Sequence, residues 1–403
     1  MKRRRVLALL PLVAGTLALA CTQTDQADGW SSPQVVTLGE RDLVIHATGN
    51  DAVLALDAES GEILWEFPDP DSDGRFPGLI AEIDDEVNAQ SFYADPIVLS
   101  PEELAVATYR DGRVYAIRID GTSARILMAA DSDVVAGLNV DRDGVLYVAT
   151  TTEGVFAIDP QRPLPPDEPL VSAEQPGLLW RFNAFADQIW GSPTLTETET
   201  HGQLLLVPAL NGTIHALRTD VDPGGAREVW RFEAGSGVAS DAVVADGLLY
   251  IGGFDRQLYA INVESGEEVW RHDCDAWFWS EVLVDGGTIY AGDLGGRVWA
   301  LDARTGSPVW DQPYESGDDI RAQPALTPDG ETVIVVNRDG VVHAIDRTSG
   351  AEVWVSPLDL PDLFYANPLV RGDQIFVANE EGDLFIERVN EDAVERFFPP
   401  ATE

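Results

Sequence analysis

The sequence predicts an all-β chain, an eight-bladed β-propeller of four-stranded antiparallel blades, and three observations carry that expectation. One phrase recurs along the 403 residues: GGRVWALDARTGSPVW at 295–310 returns as DGVVHAIDRTSGAEVW at 339–354. Repeats of this period build solenoids, arrays or propellers. Within each copy the residues alternate in the two-residue rhythm of a strand. Glycine and proline are frequent, 36 and 25 residues, as turn-rich β proteins require.

The copies run AVLALDAESGEILW (52–65), GRVYAIRIDGTSARIL (112–127), GVFAID (154–159, with Trp180 after an insertion), GTIHALRTDVDPGGAREVW (212–230) and RQLYAINVESGEEVW (256–270), then the two already quoted and GDLFIERVNEDAVERFF (382–398). Their central residue falls at Ala55, Ala116, Ala157, Ala216, Ala260, Ala300, Ala344 and Ile386; five of the seven spacings are 40 to 44 residues and two are near 60. RVWALD and QLYAIN read as strands. D-x-x-[ST]-G reads as a hairpin turn, in which Asp or Asn bonds the backbone ahead and glycine takes a positive φ. EEVW or SPVW begins the return strand, and its tryptophan offers a large apolar face to a neighbouring sheet. A strand such as GLLYIGG (247–253) precedes each copy, and another such as DAVVADG (241–247) precedes that. Four strands cannot bury both faces alone; eight such sheets in a closed ring do.

The N-terminus reads as an export signal rather than fold. MKRRR is a basic n-region, VLALLPLVAGTLALA an apolar h-region, and Cys21 follows. Residues 1–20 are expected to be a lipoprotein-type signal peptide, with Cys21 as the acylated residue. Residues 21–29 then form a tether and 30–398 the propeller. Ala18-Leu19-Ala20 also reads as an ordinary signal-peptidase site, which would leave Cys21 without lipid. Acids outnumber bases 69 to 26, for a net charge of −43, and Lys2 is the only lysine. A surface so anionic repels nucleic acid, which is excluded as a partner. The other cysteine is Cys274, so no disulfide framework exists. Its acidic neighbours disfavour a thiolate.

The repeat A-[IL]-[DN]-x-x-[ST]-G-x-x-x-W resembles that of the pyrroloquinoline-quinone (PQQ)-like propeller family, over roughly residues 30–398. Within that family, an exported single propeller with a lipid anchor is similar to the propeller lipoproteins of the outer-membrane barrel-assembly machinery. This second likeness rests on architecture and anchor, because no partner-contact residue matches one to one. The family's dehydrogenases stack their quinone between a tryptophan and a ring of adjacent disulfide-linked cysteines, and hold calcium with carboxylate and amide oxygens. The sequence has no Cys-Cys pair and no aspartate assignable as base. PQQ and catalysis are therefore not expected, and no cofactor is required.

A second alignment points to a site. Each first strand opens on a short motif: WSSP at Trp30, YADP at Tyr93, AGLN at Ala136, WGSP at Trp190, ASDA at Ala239, WSEV at Trp279, RAQP at Arg321 and YANP at Tyr365. The second position is small in all eight, as crowding at a hub demands. The third is Ser32, Asp95, Leu138, Ser192, Asp241, Glu281, Gln323 and Asn367. Residues two apart on a strand share a face. Trp30, Tyr93, Trp190, Trp279, Arg321 and Tyr365 are thus expected around one mouth, with Asp95, Asp241, Glu281 and Asn367 just inside. Aromatic rims with a fixed cation and acceptors below build concave binding sites; the competing reading is that the aromatics plug the mouth and pack between blades.

DPDSDG at 69–74 matches half of a calcium loop, through Asp69, Asp71 and Asp73 with Gly74 at the turn. The twelfth position is Ile80, so closure needs Glu82 or Asp84, and a solvated acidic loop needs no ion. DRDG at 141–144 reads as a hairpin turn. His215 and His343 read as packing residues. Insertions at 68–91 and 160–177 are candidate partner contacts. Together these features point to a non-enzymatic, membrane-anchored scaffold on the periplasmic or extracellular face of a cell membrane or outer membrane. It would bind envelope proteins as a monomer within a larger assembly, outer-membrane protein assembly being one such role. The alternatives are a PQQ- and calcium-dependent dehydrogenase and a ligand-binding surface sensor.

Overall fold

The D-x-x-[ST]-G turns close as their chemistry requires. Asp302 Oδ1 accepts from the Thr305 amide and hydroxyl, both at 2.8 Å, and Asp346 Oδ1 does the same for Ser349. The glycine that follows is left-handed in each: φ is 73° at Gly61, 71° at Gly266, 69° at Gly306 and 72° at Gly350. These turns join the third and fourth strands of a sheet, as Gln257–Asn262 joins Glu268–Asp273.

The structure, a computed structural model, describes residues 31–48, 52–68, 92–109, 112–162, 177–220, 227–357, 363–380, 382–388 and 394–398. The signal peptide, Cys21, the tether, Trp30 and the loop carrying Asp69, Asp71 and Asp73 lie outside the described residues. Among the described residues are eight four-stranded antiparallel sheets, each made of strands consecutive in the chain. Blade 1 spans 34–67, blade 2 97–129, blade 3 138–182, blade 4 194–233, blade 5 243–273, blade 6 283–315, blade 7 325–357 and blade 8 369–398. The expected eight-bladed propeller is what forms.

Its core is eight cores. One apolar cluster lies between each pair of successive blades, and the eighth joins blade 8 to blade 1 through Phe376, Leu384 and Ile386 against Val44, Leu54 and Leu56. The strand alternation sorts residues between neighbours. Leu258 and Ala260 face blade 6, whereas Tyr259 and Ile261 face blade 4. Among the described residues no strand is exchanged to close the ring. His46 Nε2 instead meets the Gly382 carbonyl at 3.0 Å, and Arg371 pairs with Asp42.

The recurring alanine and tryptophan have one joint purpose. Ala260 is the cross-strand partner of Trp270, and the ladder bulges just past it, between Ala260 and Ile261. The same pairing and bulge recur at Ala55/Trp65, Ala157/Trp180, Ala216/Trp230 and Ala344/Trp354. A methyl opposite the indole leaves it room to reach the next blade. Trp270 Nε1 donates to the Ala303 carbonyl at 2.9 Å, Trp230 Nε1 to Val263 at 2.8 Å and Trp310 Nε1 to Arg347 at 3.0 Å. The indole lies against the turn glycine of that next blade. A Cβ on Gly306 would sit 2.6 Å from Trp270, and one on Gly266 2.7 Å from Trp230.

The weaker copies depart where the sequence does. The sequence of blade 4 lacks the D-x-x-[ST]-G phrase, and Arg227, 4% exposed, lies over Trp180 at 4.4 Å. In blade 6 Pro308 and Pro313 cut the fourth strand to Tyr314–Glu315. DRDG links strands Leu138–Val140 and Leu146–Thr150, with Gly144 at φ 80°. His215 and His343 are 3% and 5% exposed, packed against Phe185 and Tyr314.

Candidate functional site

The motif that opens each blade sits just ahead of its first strand, except in blade 3, where Leu138 and Asn139 already belong to the strand Leu138–Val140. In blade 2 it occupies 93–96, and the strand Ile97–Ser100 follows. The chain bends at the motif's second residue, as at Ala94, Gly191 and Ser280, and its first and third residues still line a common space. All eight blades line one central cavity of about 600 Å³, which includes Tyr93, Asp95, Trp190, Asp241, Trp279, Glu281, Arg321, Tyr365 and Asn367. The hub is as tight as the small second position predicts. A Cβ on Gly191 would lie 2.4 Å from Pro208 and 2.7 Å from the Ser240 carbonyl.

At the mouth the aromatic residues join into an arc. Trp190 of blade 4 meets Trp279 of blade 6 edge to face at 6.0 Å, across the small Ala239 of blade 5. The Arg321 guanidinium lies 5.2 Å from the Trp279 ring and 5.0 Å from that of Tyr365, a cation held by two π faces. Trp190 Nε1 donates to Gln188 at 3.0 Å. Trp190, Trp279, Arg321 and Tyr365 are each half-buried, so they pack and remain reachable at once. Tyr93 differs from expectation: it is 7% exposed, edge-on to Tyr109 at 4.5 Å, and belongs to the wall rather than the rim.

Two members of the arc were not singled out from the sequence. Phe254 stacks on Trp279 at 6.0 Å, and Trp277, 38% exposed, lies 5.7 Å from Phe254. Together they carry the aromatic surface outward from the mouth. The aromatic density of DAWFW was visible, but Phe254 comes from a turn of blade 5 that only folding places there.

Below the arc, the third-position residues form a belt. The backbone amide of one blade donates to the side chain of the next: Ser32 to Asp95 at 2.6 Å, Gly137 to Ser192 at 2.7 Å, Ser192 to Asp241 at 2.6 Å, Gln323 to Asn367 at 2.6 Å and Asn367 to Ser32 at 3.1 Å. Asp95, Asp241 and Asn367 are thus clasps between blades as well as cavity lining. Blade 3 offers Leu138, which cannot accept. Glu281, one methylene longer than aspartate, does not take its turn as acceptor.

Burial sets the charge of this ring. It pushes Asp95 up to about 7, against the opposing Ser32 hydrogen bond, and it raises Asp241. Burial and then the neighbouring Asp241 and Asp95 push Glu281 up to about 8. Asp95 and Glu281 therefore hold back protons near neutrality, and Asp241 is shifted in the same direction. Cys274 is buried, and that burial with Asp293, Asp275 and Asp273 pushes its thiol far up, away from nucleophilic chemistry.

The quinone of the resembling dehydrogenases does not fit these residues. Trp279 already carries Phe254 and Arg321 on its ring. Cys274 is the only cysteine among the described residues, so no adjacent pair supplies the second plane. Among the described residues, no three His, Cys, Asp or Glu side chains are placed to share a metal ion.

The family model described as outer membrane protein assembly factor BamB matches residues 171–396. Comparison with curated protein sequences gives no match. Among solved structures, the computationally designed Ika8 protein superposes with a TM-score of 0.66 at 12% identity, covering 89% of this chain and 96% of that one. BamB from Moraxella catarrhalis gives a TM-score of 0.63 at 15% identity, covering 89% and 94%. A chain of the mitotic checkpoint complex gives 0.54 at 16% identity, covering 72% and 84%. At these identities the structural likeness is one of fold.

Proposed function

Because the chain belongs to the family described as outer membrane protein assembly factor BamB, we propose that it is a non-enzymatic scaffold of the cell envelope that docks protein partners during outer-membrane protein assembly. It acts as a monomer within a larger assembly, held to the membrane by a lipid on Cys21 and a tether at 21–29. Export and acylation rest on the tripartite N-terminal pattern. Two or more acyl chains make an anchor stable.

The observation that carries the docking reading is the half-buried arc of Trp190, Trp279, Arg321 and Tyr365 at the mouth of the cavity. Aromatic and arginine side chains dominate binding energy at protein interfaces, because they bury much area at small entropic cost. Each is already fixed by a neighbour, so docking immobilises little that is not immobile beforehand.

Cross-linking from envelope membranes, read by mass spectrometry, tests this. The double variant Trp190→Ala, Trp279→Ala is expected to lose at least tenfold in partner capture, while its thermal transition stays within a few degrees of the parent's. Full capture by that variant sinks the mouth as docking site; collapse of the thermal transition returns these residues to a packing role. Purified protein supplied with PQQ and calcium is expected to transfer no electrons from alcohols or aldoses to a dye, and turnover would restore the dehydrogenase reading.

A further inference from the structure

Of the three carboxylates in the cavity, two are answered by protein and one is not. Asp95 and Asp241 each accept a backbone amide of the preceding blade. Glu281 lines the same cavity with no hydrogen bond or ion pair among the described residues. Beside it Ser280, only 8% exposed, has a hydroxyl oxygen with no partner, and it too lines the cavity. A buried hydroxyl left unpaired is costly unless something meets it, and the half-buried Glu281 next to it in the chain is open to a partner entering the cavity.

The missing group has a sign. Arg321 is the only basic side chain among the described lining residues, and its charge is taken up by Trp279, Tyr365 and Asp319, the last at 3.7 Å. Glu281 thus faces Asp95 and Asp241 with no cation among the described residues against it, and the proton it retains near neutrality is what an entering cation would displace. A bare metal ion does not suit, since no three ligating side chains are close enough to share one among the described residues. An organic cation suits better: the aromatic arc supplies π faces for an aliphatic stem or a guanidinium, and Glu281 a terminus for the charge.

Resting on the docking reading above, we propose that the mouth takes a lysine or arginine side chain from an extended segment of the partner, with its charged head at Glu281 and Ser280 and its stem along Trp190 and Trp279. The cavity, about 600 Å³, holds a few side chains rather than a folded element. The acidic exterior, −43 overall, steers basic segments toward it.

Intrinsic tryptophan fluorescence is titrated with the capped peptides Gly-Arg-Gly, Gly-Lys-Gly and Gly-citrulline-Gly at 150 mM salt. The arginine and lysine peptides are expected to bind saturably, and the isosteric but neutral citrulline peptide at least tenfold more weakly. Glu281→Gln is expected to weaken the cationic peptides at least tenfold. Glu59→Gln, which removes the same charge from an exposed turn, should change them less than twofold. Equal losses in the two variants, or equal binding of citrulline, would overturn the proposal by showing only bulk attraction to an acidic protein. The same variants enter the partner-capture assay. Capture that depends on Trp190 and Trp279 but not on Glu281, with no peptide binding, overturns this proposal and leaves the docking reading standing. Peptide binding that needs Glu281, with capture indifferent to both tryptophans, upholds the cation site and removes the docking reading.

Discussion

Replacing Trp270 with alanine is expected to cost the propeller about 3–5 kcal/mol, the range for truncating a buried indole. Trp270 is 9% exposed and belongs to the core between blades 5 and 6. Its indole N–H bonds the Ala303 carbonyl, and its ring lies against Gly306 of the next blade. Truncation leaves a cavity at a blade interface and strips a carbonyl of its donor. Gly306→Ala should be severe for two separable reasons. A left-handed φ of 69° costs a residue with Cβ roughly 1–2 kcal/mol, and that Cβ would stand 2.6 Å from the indole. The double variant separates them. Once Trp270 is gone, Gly306→Ala should cost only the backbone part, so the two losses are far from additive. Urea unfolding of the parent and three variants measures this. A loss below about 1 kcal/mol for Trp270→Ala would mean that the blades are held together by something other than this clasp.

Stability is expected to fall as pH rises from 6.5 to 8.5, and Glu281→Gln to flatten that slope. Asp95 and Glu281 reach about 7 and about 8 in the fold, above their ordinary unfolded values of roughly 3.9 and 4.3. Between those limits the folded protein binds more protons than the unfolded chain, so unfolding free energy decreases with rising pH. The stabilising share is whole below the unfolded values and gone once pH has passed through the folded ones. The histidines pull the other way in an acid window. Burial lowers His46 and His343 to about 4, so their share is present above 6.5 and lost as pH falls toward 4. The range above 6.5 therefore isolates the carboxylates. Because the cavity admits water, each carboxylate is credited with only about 1–2 kcal/mol. Glu281→Gln should be more stable than the parent at pH 8 and no more stable at pH 5. Parallel pH profiles for parent and variant would mean that Glu281 ionises as freely in the fold as outside it.

Local chemistry made much of the ring legible. Asp-x-x-Ser-Gly names its own turn, because the carboxylate bonds the two amides ahead and only glycine sits comfortably at the positive φ. Counting the copies of the longer phrase, centred on Ala55 through Ile386, counted the blades. The small second residue of each opening motif, Gly191 or Ala322, disclosed the hub by what it lacked. Trp190, Trp279, Arg321 and Tyr365 were readable as a group because equivalent positions of a closed repeat must converge on one axis.

What stayed hidden depends on neighbours distant in the chain. Ser32 and Asn367 are 335 residues apart, yet ring closure makes them bond. Asp95 and Asp241 looked like free acceptors, and only the adjacent blade's amide turned them into clasps. Phe254 entered the arc, and Tyr93 left it for the wall, according to which rings lay within reach. Arg227 took the seat over Trp180 that glycine holds elsewhere, a substitution no spacing rule foretells.

By itself, then, the sequence determined the strand rhythm, the turn chemistry, the number of blades and which residues would converge at the centre. These follow from backbone preferences and periodicity, which act over a few residues and repeat. The tertiary structure alone decided which of those central groups are satisfied. Hydrogen bonding and desolvation depend on what stands a few ångströms away across a blade boundary, and that is why Glu281, of the three carboxylates, is the one left facing an open cavity.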